Sequence, residues 1–335
     1  MHVHLKDQAV NGGKKQLMKI VLIISICLFV VKFAAYFLTN SNSILTDAVE
    51  SIVNILTGAF ALYSIYYAAK PKDEDHPYGH GKIEFLSSGF EGAMILTAGI
   101  GMIFKGASSF FDKDELQNLD WGLYLTVFAG AVNGVMGFVL IKRGEKEGSV
   151  TLVAEGKHLL SDTWSSVAIV FGLVAIYFTK IVWIDYVLAI VIGLMITYTG
   201  FRLVKESIDN LLDKADVAHI KEVISLLEKN KQDKWIDVHN LRVLKYGDHL
   251  HIDCHVTLPW YDPLSVSHEE VDAIGKLIKN EMHEKIEFFI HADPCVPPYS
   301  CSVCPISTCE HRKAAFDHRV EWTAANVLPD KKHGM

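Results

Sequence analysis

The sequence predicts an α-helical membrane protein of six transmembrane helices followed by a small C-terminal α+β domain, and three observations predict it. Half of the 335 residues are hydrophobic, yet 32 Lys and Arg and 39 Asp and Glu remain, so apolar and charged residues must be segregated along the chain. From about residue 16 to 208, apolar runs long enough to cross a hydrocarbon core of about 30 Å follow one another. From residue 213 onward no run approaches that length, and strand-like alternation appears instead. The segments are an N-terminal stretch (1–16), a membrane domain (17–208), a soluble domain (209–294) and a Cys-rich tail (295–335).

Taken in order, residues 1–16 are polar, and the first apolar run, 17–38, is longer than a signal-peptide core and lacks a small-residue cleavage site behind it. It is read as a retained span. The remaining spans are expected at 44–69, 84–110, 121–142, 150–178 and 183–207. Lys6, Lys14, Lys15 and Lys19 precede the first span, and Lys70, Lys72 and Lys82 flank the second connection. Lys142, Arg143 and Lys146 flank the fourth connection, and Arg202 and Lys205 close the last span. The other side offers Lys113 and Lys180, so the positive-inside bias places both termini and the soluble domain in the cytoplasm of a cell (inner or plasma) membrane protein.

Beyond Asp213 the expected order is helix (216–230), strand (236–246), strand (249–258), helix (265–284) and strand (286–292). Ile236, Val238, Leu241 and Val243 face Ile252, Cys254 and Val256 in the alternation of half-buried strands, with Gly247-Asp248 at the turn. The net charge of −7 comes without a basic block, which argues against a nucleic-acid partner. Cys27 and Cys254 sit in apolar surroundings and are read as packing residues.

Ionisable residues inside a bilayer are costly, so those in the spans are functional candidates. In the second span Asp47, Glu50 and Asn54 share one helical face; in the fifth, His158 and Asp162 are four apart and share another. Glu50, Asn54, His158 and Asp162 offer two carboxylates, an amide oxygen and an imidazole, a donor set suited to a first-row divalent ion. The competing reading is hydrogen bonding between packed helices, which needs neither two titratable groups nor their spacing. Asp47 is placed nearer the outer helix end, supporting the ligands or lining an exit path.

The second connection reads Asp73-Glu-Asp-His76-Pro-Tyr-Gly-His80-Gly-Lys-Ile-Glu84. A Tyr-Gly-His-Gly-Lys-x-Glu stretch between the second and third of six spans resembles the cation diffusion facilitator family. The second-span polar stripe, His158-x-x-x-Asp162, Asp185 and Leu211-Leu212-Asp213 extend the resemblance over about residues 16–295. It implies a homodimeric metal/proton antiporter, not an enzyme, with Glu50, Asn54, His158 and Asp162 as transport-site ligands. The family commonly has Asp or His at the position of Glu50 and Asp at that of Asn54, so this chain lacks one negative charge there. The resemblance also implies a zinc at the cytoplasmic mouth on Asp73, His76 and His80, against the bland alternative of a solvated loop. It further implies charge pairing of the dimer's membrane halves through Lys82 and Asp213.

The soluble domain is similar to the family's ferredoxin-like fold, which implies that His239, His255, His268, His291 and Asp293 hold regulatory zinc at a dimer interface. His249 and His251 share a strand face with His255 and are read as surface residues. The tail carries Cys295, Cys301, Cys304 and Cys309, then His311. In a reducing cytoplasm such a cluster favours a zinc knob of four thiolates, or of three thiolates and an imidazole, over disulfides; its spacing does not follow a known iron–sulfur run.

The expected mechanism is alternating access, in which protons replace the metal on the same groups and an inward proton gradient drives the ion out. Zinc is the favoured cargo, with iron(II), manganese(II) and cobalt(II) also matched by the donor set. A membrane-bound sensor or storage scaffold is the alternative. An intramembrane metallohydrolase would need a His-Glu-x-x-His motif or other water-activating base, which the sequence lacks.

Overall fold

The structure, a computed structural model, describes residues 2–39, 42–108, 119–179, 183–247, 249–282 and 285–334. Asp248, Lys113 and Lys180 lie outside them. The chain divides into two compact units, Met1–Leu212 and Asp213–Met335.

The first unit contains six long helices: α1 (His2–Thr39), α2 (Asn42–Ala68), α3 (Ile83–Ser108), α4 (Leu119–Glu147), α5 (Val150–Thr179) and α6 (Trp183–Leu211). Their starts fall within two residues of the apolar runs except in α1, which begins at His2 and carries its helix through the polar stretch. That stretch has no proline, and its Lys, Gln and Ala residues propagate a helix readily. Among the described residues three stretches, Gly13–Ala34, Ile83–Ser108 and Val127–Glu147, are long and apolar enough to cross a membrane by length and composition. Helices α2 and α5 carry the polar residues of the site.

The helices meet through glycine, as packing without a hydrophobic driving force between helices requires. A Cβ on Gly200 of α6 would lie 2.5 Å from the Leu96 backbone nitrogen of α3. One on Gly156 of α5 would lie 2.7 Å from Ile141 of α4, two residues before His158. Large apolar side chains face outward, among them Phe104, Val135 and Met195, exposed by 76%, 65% and 66%. Such a surface suits lipid rather than water.

The second unit is a three-stranded sheet, β1 (Asp237–Tyr246), β2 (His249–Leu258) and β3 (Lys285–Pro294), with helices α7 (Val217–Lys229) and α8 (Leu264–Glu281). β1 and β2 pair antiparallel, and β2 and β3 parallel, in the order β1-β2-β3. Asp216 caps α7, its carboxylate accepting from the Ala218 and His219 amides. Val238, Leu241, Val243, Ile252, Cys254 and Val256 enter the core with Ile220, Val223, Ile274 and Ile278 of the helices. The step from Val238 to Leu241 breaks period two; a register shift between His239 and Arg242, with Asn240 at φ 51°, restores the facing. Cys254 is packed as expected, whereas Cys27 is exposed on α1.

The tail folds onto this unit. Val303, Cys304, Val320, Trp322 and Val327 join its core, the last on the short helix α9 (Ala324–Val327). The Asn240 amide then donates to the Pro329 carbonyl at 3.0 Å, bringing the last residues to β1.

Candidate metal centres

In the membrane unit α2 and α5 bring Asn54, His158 and Asp162 together. Asn54 Nδ2 donates to Asp162 Oδ2 at 2.6 Å, and Asn54 Oδ1 lies 3.0 Å from His158 Nε2. The same His158 nitrogen is 3.9 Å from Asp162 Oδ1, and Asn54 and His158 are 6% and 5% exposed. An imidazole, an amide oxygen and a carboxylate therefore converge at one point inside a helix bundle. Asp47 and Glu50 belong to the first turns of α2, but their side chains lie outside those described.

Two acids that sequence reasoning passed over complete the surroundings. Glu91 Oε2 of α3 lies 3.3 Å from His158 Nδ1, the nitrogen turned away from Asn54. Glu155, one turn before His158, is buried with it; both glutamates are at most 1% exposed. Their position inside predicted spans was the available signal. Glu91 orients the imidazole as a carboxylate behind a metal-bound histidine does, and the pocket's excess of carboxyl groups suits a divalent cation or protons.

The loop between α2 and α3 folds back on itself. The His76 amide donates to Asp73 Oδ1 at 2.7 Å, and Gly79, at φ +89°, supplies the left-handed residue that returns His80 to Asp73. Asp73 Oδ1 is 3.0 Å from His76 Nδ1, and Oδ2 is 3.2 Å from His80 Nε2. Burial opposes ionisation of Asp73, but hydrogen bonds and charge from His76, then the charge of His80, outweigh it and hold the carboxyl below its ordinary value. One ligand atom from each of Asp73, His76 and His80 lies within 4.8 Å of the others. His80 Nδ1 is buried with no hydrogen-bond partner among the described residues, so the imidazole has donor capacity that a metal would use.

In the second unit the strand register lines up three histidines. His239 pairs with His255, and His255 with His291, so one imidazole from each strand stands in a single row. Adjacent rings are 5.1 Å and 4.8 Å apart. Asp293 serves all three: Oδ2 is 3.2 Å from His239 Nε2 and 3.3 Å from His255 Nδ1, and Oδ1 is 3.5 Å from His291 Nε2. His268 is not brought to them; it stands on α8, its side chain 73% exposed, 3.9 Å from Asp272. His251, expected at the surface, is 5% exposed and lies 3.4 Å from Glu287 of β3.

Sequence reasoning missed the rest of this centre, because it comes from β1's first residue and from the tail. Asp237 lies 3.1 Å from His239 Nδ1 and accepts from the His333 amide at 3.1 Å, with the His333 ring against its other oxygen. Burial would raise the Asp237 carboxyl, but hydrogen bonds from His239 and His333 and the charge of His333 hold it down to about 2. Asp330 has a carboxylate oxygen within 4.8 Å of ligand atoms of both His239 and His255. Lys332 Nζ sits 3.4 Å from Asp293 Oδ2.

The tail cysteines are all free thiols, Cys301 and Cys304 buried, Cys295 and Cys309 partly so. The Lys313 amide donates to Cys301 Sγ at 3.4 Å, and Arg312 donates to the carbonyls of Cys301, Cys304 and Ile306. Burial pushes the Cys295 and Cys304 thiols up, and the neighbouring thiols add to it. Among the described residues no three of these sulfurs close to within 4.8 Å of one another. His311 is packed instead beside Trp260 and Tyr261, with ring centroids at 4.9 Å and 4.7 Å.

With this geometry in view, residues 18–212 match the family model described as the cation efflux transmembrane domain, and residues 212–295 match that of the cation efflux protein cytoplasmic domain. A Synechocystis protein named an uncharacterized transporter is 30% identical over 269 residues, covering 80% of this chain and 86% of its own. A cation-efflux pump of Shewanella oneidensis is 28% identical over 271 residues, covering 81% and 90%. A manganese efflux system protein of Bacillus subtilis is 28% identical over 265 residues, covering 79% and 90%.

Proposed function

The chain belongs to the cation efflux family, the cation diffusion facilitators, membrane transporters of divalent metal cations and not enzymes, and on that premise we propose that it exports a transition-metal ion in exchange for protons. The observation that carries this is the convergence of Asn54, His158 and Asp162 at 2.6 Å to 3.9 Å inside the helix bundle. Glu50, one helical turn before Asn54, is the fourth ligand. Metal and protons compete for the imidazole and the carboxylates, so a proton gradient can empty the site on the far side. Alternating access requires only that the two conformations bind the ion with different affinity.

Zinc is the cargo we favour, because of the histidines of the soluble domain. The manganese efflux protein among the relatives makes manganese(II) the leading competitor, with iron(II) and cobalt(II) behind it. The termini are assigned to the cytoplasm by the distribution of Lys and Arg, and the cytoplasmic-domain match supports a homodimer. Asp73, His76 and His80 are read as a metal site at the cytoplasmic mouth, and the histidine row with Asp293 as a regulatory one.

The test is uptake of zinc, manganese(II), iron(II) and cobalt(II) into proteoliposomes under an imposed pH gradient, with Asp162→Ala as control. Gradient-dependent uptake of one ion, abolished by the substitution, is the expected result. Binding of metal without movement of any ion would leave a sensor or storage scaffold.

We read the tail thiols as ligands of one soft divalent ion on which Cys295, Cys301, Cys304 and Cys309 would have to draw together, with His311 left to its two aromatic rings. Cys301→Ser is expected to lower the metal content of the purified chain by one ion per protomer. Unchanged content, measured by elemental analysis, would remove this assignment.

A further inference from the structure

The cytoplasmic-domain match ends at residue 295, yet the chain's last described residues end at the histidine row. Each step of that approach is visible. The Asn240 amide fixes the Pro329 carbonyl at 3.0 Å, and the backbone and ring of His333 fix the strap to Asp237 three residues beyond Asp330. Between these two anchors lie Asp330, Lys331 and Lys332, of which Asp330 and Lys332 stand in opposite relations to a metal. Asp330 places an oxygen within 4.8 Å of a ligand nitrogen on each of His239 and His255, near enough that a small inward shift closes the three donors on one ion. Lys332 places its ammonium 3.4 Å from Asp293 Oδ2, the same oxygen that lies 3.2 Å and 3.3 Å from those two imidazoles.

We propose that Asp330 is a ligand of the divalent cation bound at His239, His255 and Asp293, and that the Lys332 ammonium holds the cation's place on Asp293 until the metal displaces it. The inference rests on the reading of the histidine row as a metal site. A carboxylate beside two imidazoles and a second carboxylate makes a neutral-charge, four-donor set for a divalent ion. An ammonium satisfies Asp293 without metal but offers no donor pair, so it must leave when an ion arrives. The strap therefore reports occupancy: metal draws Asp330 inward and releases Lys332. Asp237 and His333 keep the two ends in register while this happens.

Site-specific affinity is read from hydrogen exchange of the full chain in lipid nanodiscs during a zinc titration, following the peptides that cover 329–334 and β2. Native protein is expected to gain protection in both at one midpoint. Asp330→Asn should raise that midpoint about ten- to a hundredfold, as loss of an interaction that tunes a metal does, while Asp330→Glu restores it. Lys332→Met, which keeps the apolar stem, should lower the midpoint. His239→Ala should abolish the transition. If His239→Ala abolishes it and Asp330→Asn leaves it unchanged, Asp330 is not a ligand, and the histidine site stands without the tail. A midpoint raised or unchanged in Lys332→Met overturns the place-holding role. A transition that persists in His239→Ala overturns the metal-site reading itself.

Discussion

Asn54 is the residue on which the proposed transport site turns. Its amide bridges the other two described residues of that site, accepting from His158 and donating to Asp162. A carboxylate at this position could not donate, so Asn54→Asp would set two acids against each other until a proton or a metal joined them. We expect that variant to bind metal more tightly and to transport with a steeper dependence on pH, measured as uptake between pH 6 and 8 of about tenfold range, taken as one pK unit of added coupling. Unaltered pH dependence would mean that Asn54 is not part of the exchanging set. At this scale the sequence was readable where charge met a span: Asn54, His158 and Asp162 were found from spacing. Glu91 and Glu155 obeyed the same rule but lay off the recognised pairs. Asp330 and Lys332 carried no local signal, since an acid and a lysine near a chain end are ordinary.

At the scale of elements, hydropathy and periodicity were enough to locate the six long helices and the three strands. Helix α1 runs back beyond its apolar run to His2, because a hydropathy run measures solvent preference and not helix continuity. The tail was illegible because its apolar residues, Val303, Val320, Trp322 and Val327, are isolated among polar ones and make no period. Helix α7 carries a prediction of its own. Burial would raise the Asp216 carboxyl, but hydrogen bonds and charge from His219, with charge from Lys245, hold it below its ordinary value of 3.8. A depressed folded value means that the stabilisation is fully present above 3.8 and is lost as pH falls through the lower folded value. Asp216→Asn keeps a capping oxygen but not the charge, so unfolding of residues 213–335 followed by circular dichroism should lose that acid-side slope. Asp216→Ala should in addition cost about 1 kcal/mol near neutrality.

At the scale of the whole molecule, the membrane and cytoplasmic units separate at residues 212 and 213, where the two family matches also meet. Lys82 directly precedes α3 in one unit, and Asp213, at φ 59°, opens the other. If opposite charges at these positions join the halves of a homodimer, Lys82→Asp should weaken the dimer in detergent, and the double exchange Lys82→Asp with Asp213→Lys should restore it. Light scattering across a dilution series would show this; a double variant no more dimeric than the single one would dismiss the pairing. The histidine row has a consequence for how such a protein can change over generations. His239, His255 and His291 share one row because backbone ladder bonds set the register, and the same register turns Val238, Cys254 and Val256 inward. Inserting one residue in β2 ahead of Cys254 would exchange its faces, sending the His255 imidazole into the core and Cys254 into the row beside His239 and His291. Inheritance of the centre and inheritance of the fold are thus a single trait: length changes inside these strands are purged for stability whether or not the metal matters, and loops and tail are left as the places where the lineage can vary its response.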